Sequence, residues 1–280
     1  MRILKSTTEL NNWFIENQKR LVENVGFVPT MGALHMGHAS LIERAAKECE
    51  IVVVSILINP TQFNEKADLQ SYPRTLENDV IVAEKAGGSV LFTPTPEDIY
   101  GGTPFAEQVD YGRITSTFEG LNRQGHFEGV VSVVDKLFRV VKPNRAYFGT
   151  KDLQQVAVVE RMSNERHPKI EIVSCNLIRD ENGLALSSRN SRLSDAGIAL
   201  AQNISQQLQA VVDRINDGLD VNDSVEMAKK KLKNLKGFEL EYMNAVNYKT
   251  FSINTENHGW SHIIIAAKVE GVRLIDNIEL

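Results

Sequence analysis

The chain has 280 residues, of which 42% are hydrophobic and 24% charged. This is the composition of an ordinary globular protein that can bury a core and is long enough for two domains. Its 31 Lys and Arg residues against 36 Asp and Glu residues give a formal net charge of −5, which excludes a broad phosphate-neutralising surface and so argues against a general nucleic-acid binder. Met1–Glu16 contains no apolar signal core, and no run approaches the roughly 18 apolar residues of a membrane span. Cys49 and Cys175 have no metal-type spacing, so we expect reduced thiols and a cytoplasmic protein with no membrane partner.

The first 180 residues alternate short β-rich runs with longer helical runs, a pattern typical of a parallel sheet with helices on both faces. The predicted strands are Val25–Val28, Ile51–Ile58, Ser89–Phe92, Arg145–Phe148 and Ile170–Cys175. The predicted helices are Ala39–Lys47, Leu76–Ala86, Val130–Val141 and Leu153–Asn164. We therefore predict an α/β fold with a doubly wound, parallel, Rossmann-like sheet in a domain that covers residues 1–178.

The character of the chain changes after Asn190. Ser194 and Asp195 cap a long helical stretch that reaches about Gly218, and a second helix follows. The remaining elements are the helix Ser224–Lys236 and the strands Glu239–Val246, His262–Val269 and Val272–Asp276. Glu270 and Gly271 join the last two strands as a tight hairpin. These patterns predict a smaller C-terminal α+β domain over residues 179–280, which we expect to close over the site as a lid.

The segment His35-Met36-Gly37-His38 lies at the first strand-to-helix turn. Two imidazoles three residues apart share one face of a helix, and a helix that begins there adds free backbone N–H groups and the positive end of its dipole. This combination suits a polyphosphate. The alternative is a strand–turn–helix corner with two surface histidines, but the preceding strand, Gly32 and Gly37 favour the phosphate site.

Polar groups also follow the other predicted strands, where ligands of such sheets bind. Gln62, after the most apolar strand, offers an amide donor and acceptor that suit a hydroxy acid, although an ordinary turn explains the segment as well. In Gly149–Asp152, Lys151 is suited to phosphate and Asp152 to a helix cap or a ribose hydroxyl. Leu186–Asn190 is dense in hydroxyls and carries a guanidinium, which suits a polyphosphate or simply a helix cap. His126 in its loop fits a structural role as well as a ligand contact.

In their order and spacing, these motifs together resemble the pantoate–β-alanine ligases of the HxGH nucleotidylyltransferase superfamily, over nearly the whole chain. The segments that carry the resemblance are Pro29–His38, Asn59–Phe63, Tyr72–Thr75, Gly125–Phe127, Gly149–Gln155, Leu186–Asn190 and Arg273–Asn277.

The resemblance implies an enzyme that uses ATP to activate pantoate as pantoyl adenylate with release of pyrophosphate, after which β-alanine attacks to give pantothenate and AMP. His35, His38, Lys151 and Arg189 are then the expected catalytic residues, with His38 as the proton donor. Gln62 and Gln155 are expected to bind pantoate, and Gln62 also β-alanine. The expected ATP-binding residues are Met31, Gly32, Ala33, Leu34, His35, Met36, Gly37, His38, Gly149, Thr150, Lys151, Asp152, Ile178, Leu186, Ser187, Ser188 and Arg189. The family further implies Mg²⁺, with ligands that the sequence does not identify, and a homodimer.

The chain departs from the family pattern at two positions. Thr150 stands where the family usually has Glu, and Leu186 where it usually has Met. Both positions flank the nucleotide segments and can contact ATP through the backbone. We therefore expect small effects on ATP binding and none on the type of reaction.

Three other functions remain to be weighed. A related nucleotidylyltransferase that acts on a phosphorylated alcohol is disfavoured by Gln62 and Gln155, because a phosphate substrate favours Arg or Lys there. An aminoacyl-tRNA synthetase relative is disfavoured by length, by acidity and by the lack of a lysine in Leu186–Asn190. A non-catalytic nucleotide sensor is disfavoured by the complete set of histidines with Lys151 and Arg189, and turnover would exclude it.

Overall fold

The computed structural model describes residues 1–17, 24–253 and 259–280. The chain forms two compact units. The first consists of Met1–Thr150 and Gln155–Asn176, and the second of Lys151–Gln154 and Leu177–Leu280. The division into domains 1–178 and 179–280 stays a prediction.

The first unit is built around a six-stranded parallel sheet, as far as the described residues go. Its strands are β1 (Arg2–Leu4), β2 (Val25–Thr30), β3 (Ile51–Ile56), β4 (Val90–Phe92), β5 (Arg145–Gly149) and β6 (Glu171–Cys175). The spatial order is β1-β4-β3-β2-β5-β6. From β2 the chain continues to β3 on one side, whereas β5 lies on the other side. The strand order therefore changes direction between β2 and β5, and this is the switch point at which such sheets bind ligands.

The helices of the first unit connect these strands. They are α1 (Thr7–Glu16), α2 (Met36–Glu48), α3 (Lys66–Ser71), α4 (Leu76–Lys85), α5 (Pro96–Tyr100), α6 (Arg113–Ser116), α7 (Glu119–Asn122), α8 (His126–Val141) and α9 (Leu153–Arg166). Helix α8 is the most enclosed, with buried residues on almost every side. Helix α2 buries Ala39, Leu41, Ile42 and Ala45 against the sheet core, at the spacing of one helix face.

The second unit packs α10 (Asp195–Ala201), α11 (Asn203–Asn216) and α12 (Val221–Lys233) with an antiparallel sheet of β7 (Phe238–Val246), β8 (His262–Val269) and β9 (Val272–Glu279). Glu270 and Gly271 both have positive φ, at 50° and 75°, as a tight β8–β9 hairpin requires. The long helix expected from Ser194 to Gly218 is divided, because the Asn203 side chain donates to the Leu200 carbonyl oxygen and competes with the helical pattern.

The predicted fold class is confirmed: a doubly wound parallel α/β sheet is accompanied by a smaller α+β unit. Strand β1 and helix α1 were not predicted. The strand has three residues, and only Leu10 of the helix is buried, so neither segment carries a strong periodic apolar signal.

Candidate active site

The turn that follows β2 has an unusual backbone. Gly32 and Ala33 have consecutive positive φ values of 84° and 51°, a conformation that costs a residue with a side chain about 1–2 kcal/mol. The Thr30 hydroxyl donates to the Ser55 carbonyl oxygen at 2.7 Å and accepts from the Gly32 N–H at 3.1 Å. The sharp reversal after the strand therefore depends on glycine at position 32 and on the Thr30 hydroxyl.

The buried carboxylate of Asp79, on α4, stabilises the same turn by accepting hydrogen bonds from its backbone N–H groups. Its Oδ2 accepts from the Ala33 N–H at 3.1 Å, and its Oδ1 accepts from the Leu34 N–H at 2.7 Å. The Thr75 hydroxyl donates to Oδ1 at 3.0 Å. Asp79 thus offsets the cost of the positive φ at Ala33 with charge-assisted hydrogen bonds.

The two histidines organise the start of α2. His35 is the residue that precedes the helix, and its Nδ1 accepts from the Gly37 N–H at 3.1 Å, while His38 Nδ1 accepts from the His35 N–H at 3.3 Å. Their ring centroids lie 4.2 Å apart. Because both Nδ1 atoms accept, these bonds select the neutral tautomer with the proton on Nε2 for each ring. Each ring can then present an Nε2–H donor at a helix N-terminus, which is a suitable arrangement for phosphate oxygens.

Gln62 lies in a 3-10 turn, Pro60–Gln62, which follows β3, and its side chain is buried. Its Nε2 contacts the Met31 Sδ atom at 2.9 Å, so the turn after β3 meets the turn after β2. Gly129 allows α8 to approach this turn closely, because a Cβ there would lie 2.5 Å from the Thr61 carbonyl oxygen. His126 Nδ1 lies 2.8 Å from the Gln62 carbonyl oxygen. It donates to that oxygen, so the buried His126 makes a structural contact. The predicted loop position of His126 is wrong, because α8 begins at this residue.

The remaining predicted residues of the first unit follow β5. Gly149 ends that strand, Thr150 follows directly, and Gln155 lies half-buried in the first turn of α9. Strands β3, β2 and β5 are neighbours in the sheet. Since carboxyl ends of parallel strands share one edge, Gln62, the histidine turn and Gln155 all follow the three adjacent strands at the switch point.

The second unit contains the other predicted residues. Lys151 Nζ pairs with Asp152 Oδ2 at 3.3 Å. The Leu186 N–H donates to the Ile178 carbonyl oxygen at 3.0 Å, which brings two predicted positions together. The Ser187 hydroxyl accepts from the Arg189 N–H at 3.2 Å and shapes the loop that also contains Ser188.

A cavity of about 10 Å³ lies within this second unit. Its walls include Lys151, Ser187, Asn190 and Asp276, so the structure brings two of the predicted nucleotide-binding residues together. A volume of this size holds about one water molecule. It is too small to contain a nucleotide.

Sequence reasoning missed Asp79 and Tyr100, and it assigned no separate role to Asn59. Asn59 contacts the Gln62 side chain, and Tyr100 Oη in turn lies 3.1 Å from Asn59 Oδ1. Asp79 follows the polar residues Glu77 and Asn78 in the first turn of α4, and nothing in the sequence distinguishes it from a solvated carboxylate. Only its near-complete burial, at 1% exposure, identifies its role.

In residues 1–17, 24–253 and 259–280 there is no group of three or more His, Cys, Asp or Glu side chains arranged to bind a metal ion. None of the helices in these same ranges is both long and apolar enough to cross a membrane.

A doubly wound parallel sheet whose switch point carries paired histidines at a helix N-terminus defines the class of α/β proteins that bind nucleotides at this edge. The family model for pantoate–β-alanine ligase matches residues 2–279. Among curated relatives, a pantothenate synthetase from Cytophaga hutchinsonii is 44% identical over 267 residues, covering 94% of each chain. One from Bacteroides fragilis is 42% identical over 260 residues, covering 92% of this chain and 91% of the relative.

Solved structures agree with these sequence matches. The crystal structure of pantothenate synthetase from Thermus thermophilus has a TM-score of 0.91 and 38% identity, with coverage of 100% of this chain and 99% of that one. The pantoate–β-alanine ligase of Francisella tularensis, complexed with β,γ-ATP and β-alanine, has a TM-score of 0.82 and 34% identity, covering 100% and 97% of the two chains. This chain belongs to the pantoate–β-alanine ligase family.

Proposed function

We propose that this chain condenses pantoate with β-alanine at the expense of ATP, giving pantothenate, AMP and pyrophosphate through pantoyl adenylate. The observation that carries this proposal is the contact between Gln62 Nε2 and Met31 Sδ. There an amide suited to a hydroxy acid lies beside a turn suited to polyphosphate. Family membership over residues 2–279 and the ATP- and β-alanine-type ligands of the Francisella relative support the same reaction.

The reaction has two steps. The carboxylate of pantoate attacks the α-phosphorus of ATP, the bond to the bridging oxygen breaks, and pyrophosphate leaves. The amine of β-alanine then attacks the acyl carbon of the adenylate, the nitrogen loses a proton to solvent as the amide forms, and AMP leaves with the electron pair of the acyl–oxygen bond. Negative charge grows on the phosphate oxygens in the first step, so preorganised donors are the main catalytic requirement.

The catalytic donors are His35, His38, Lys151 and Arg189, with His38 as the proton donor to the leaving group. The pairing of each histidine Nδ1 with a backbone N–H supports hydrogen-bond donation to phosphate oxygens, because it leaves the ring proton on Nε2. Gln62 and Gln155 bind pantoate, and Gln62 also contacts β-alanine. The ATP-binding residues are Met31, Gly32, Ala33, Leu34, His35, Met36, Gly37, His38, Gly149, Thr150, Lys151, Asp152, Ile178, Leu186, Ser187, Ser188 and Arg189.

Mg²⁺ would be supplied together with ATP, as part of the substrate. A Mg²⁺ ion that accompanies ATP is bound mainly by phosphate oxygens and water and needs few protein carboxylates. This fits a described chain without a three-ligand metal cluster. When bound, the ion neutralises phosphate charge. A homodimeric assembly and a cytoplasmic location complete the proposal.

The test is pantoate-dependent exchange of pyrophosphate into ATP, followed by addition of β-alanine. The proposed reaction predicts exchange with ATP, Mg²⁺ and pantoate alone, and pantothenate only after β-alanine is added. Exchange that does not depend on pantoate, or ATP binding without turnover, would contradict the proposal and favour another nucleotidylyl transfer or a nucleotide sensor.

A further inference from the structure

The orientation of the Asn59 side chain is determined by its neighbours. Asn59 is fully buried, and one end of its amide lies 3.1 Å from the Gly129 carbonyl oxygen. A carbonyl oxygen can only accept, so this end must be Nδ2. The other end, Oδ1, then accepts from the Tyr100 hydroxyl at 3.1 Å and from the Thr61 hydroxyl at 3.2 Å.

The orientation of Asn59 determines that of Gln62. Asn59 Nδ2 also donates to Gln62 Oε1 at 3.3 Å, which leaves Gln62 Nε2 on the side of Met31. A rotated Asn59 amide would direct Oδ1 at two acceptors, the Gly129 carbonyl and Gln62 Oε1, and lose both hydrogen bonds. The donor that Gln62 can present to a ligand is therefore specified by atoms that do not touch that ligand.

Contacts that do not involve the hydroxyl also hold the Tyr100 ring in place. It lies at the end of α5 and is buried, with the Phe105 ring centroid at 6.0 Å and Lys136 Nζ at 5.2 Å from the Tyr100 ring centroid. Burial raises the pKa of Tyr100, so the hydroxyl remains a donor through the neutral range. Removal of the hydroxyl alone should leave these ring contacts in place.

We propose that Tyr100 is a positioning residue for pantoate, which acts through Asn59 to fix the amide orientation of Gln62. This inference rests on the proposed function, in which Gln62 binds pantoate. Thr61 supports the same Asn59 oxygen, so the two hydroxyls share the role. One hydroxyl alone still gives Asn59 Oδ1 a donor. Loss of both hydroxyls leaves this buried acceptor without either donor, which costs more than the loss of one.

The test compares Tyr100→Phe, Thr61→Val and the double variant in the full chain, with KM values for pantoate and ATP measured separately. We expect each single change to raise the pantoate KM about threefold and the double change to raise it by more than the product, at least about tenfold. The ATP KM should stay within about twofold. Tyr147→Phe is the matched control, because it removes another buried hydroxyl of the same unit, one that contacts Cys49 and Glu48. It should leave both KM values unchanged.

A selective rise in pantoate KM supports the inference. An unchanged pantoate KM in the folded double variant, or an equal rise for ATP, would overturn it. If the double variant does not fold, the folded Tyr100→Phe variant decides, since a threefold selective rise supports the inference and an unchanged value refutes it. Failure of the wild-type chain to make pantothenate would refute the proposed function instead, so the two failures are distinct.

Discussion

Replacement of Asp79 by asparagine tests how the first turn of the site is held. Asparagine keeps the shape of the side chain but converts one acceptor oxygen to an NH₂ donor. In the wild-type chain, Asp79 Oδ2 accepts from the Ala33 N–H at 3.1 Å. If the asparagine oxygen keeps the contacts with the Leu34 N–H and the Thr75 hydroxyl, its NH₂ group faces the Ala33 N–H, which is also a donor. The substitution therefore removes one hydrogen bond and weakens the others by removing their charge.

The magnitude follows from these contacts. Hydrogen bonds to charged groups contribute about 1.5–3 kcal/mol, and the affected N–H belongs to Ala33, whose positive φ already costs about 1–2 kcal/mol. We expect Asp79→Asn to lower the free energy of unfolding by about 2 kcal/mol. The turn should also shift to recover part of this cost, so we expect the ATP KM to rise about five- to tenfold, which corresponds to about 1–1.4 kcal/mol.

The assay pairs urea unfolding with the KM for ATP in pyrophosphate exchange. Asp135→Asn provides a matched control, because Asp135 is equally a buried carboxylate of the first unit but binds Arg139 and His167 rather than the turn. The control should lose stability and retain the wild-type ATP KM. The reasoning is refuted if Asp79→Asn loses stability while its ATP KM stays unchanged, or if both variants raise that KM equally.

The other predictions concern His38, the turn that contains Gln62, and the second unit. His38→Ala should lower the adenylation rate about 10²–10³-fold with the fold intact, because one preorganised donor is lost; full pyrophosphate exchange in the folded variant would rule out its role. Gly129→Ala should raise the pantoate KM more than the ATP KM, because the added methyl displaces the turn that carries Gln62; equal kinetics to wild type would show that α8 can shift without cost. Burial lowers the pKa of His262, although Glu279 opposes this, so the unfolded chain binds a proton at higher pH than the folded one. The free energy of unfolding should then fall as the pH drops below about 6.5 toward the folded pKa. Measured by urea unfolding, His262→Gln should reduce this dependence on pH. An identical slope in the wild-type and variant proteins would contradict the role of His262.

The sequence determined the alternation of strands and helices in the first 180 residues, because the central elements are long or strongly apolar. Ile51–Ile56, for example, is almost wholly buried as β3, as its run of apolar residues, broken only by Ser55, predicts. The exact ends of the helices and strands were predicted less accurately. Helix α2 begins at Met36 rather than Ala39, since His35 and His38 satisfy its first N–H groups with their own rings, an unusual cap that no propensity rule anticipates.

The sequence also predicted site roles for the histidine turn, Gln62 and the loop at Leu186–Asn190, since these carry chemistry in their residue types and lie beside predicted strand ends. These roles stay predictions. The sequence could not identify Asp79 or Tyr100. Each contributes through a hydrogen bond to a residue more than 40 positions away, and such pairings arise only when the strand order is fixed and helices pack on the sheet. Residue chemistry and local periodicity thus determined which groups are available, whereas tertiary packing decided that the Asp79 carboxylate binds the turn after β2 and that the Tyr100 hydroxyl contacts Asn59.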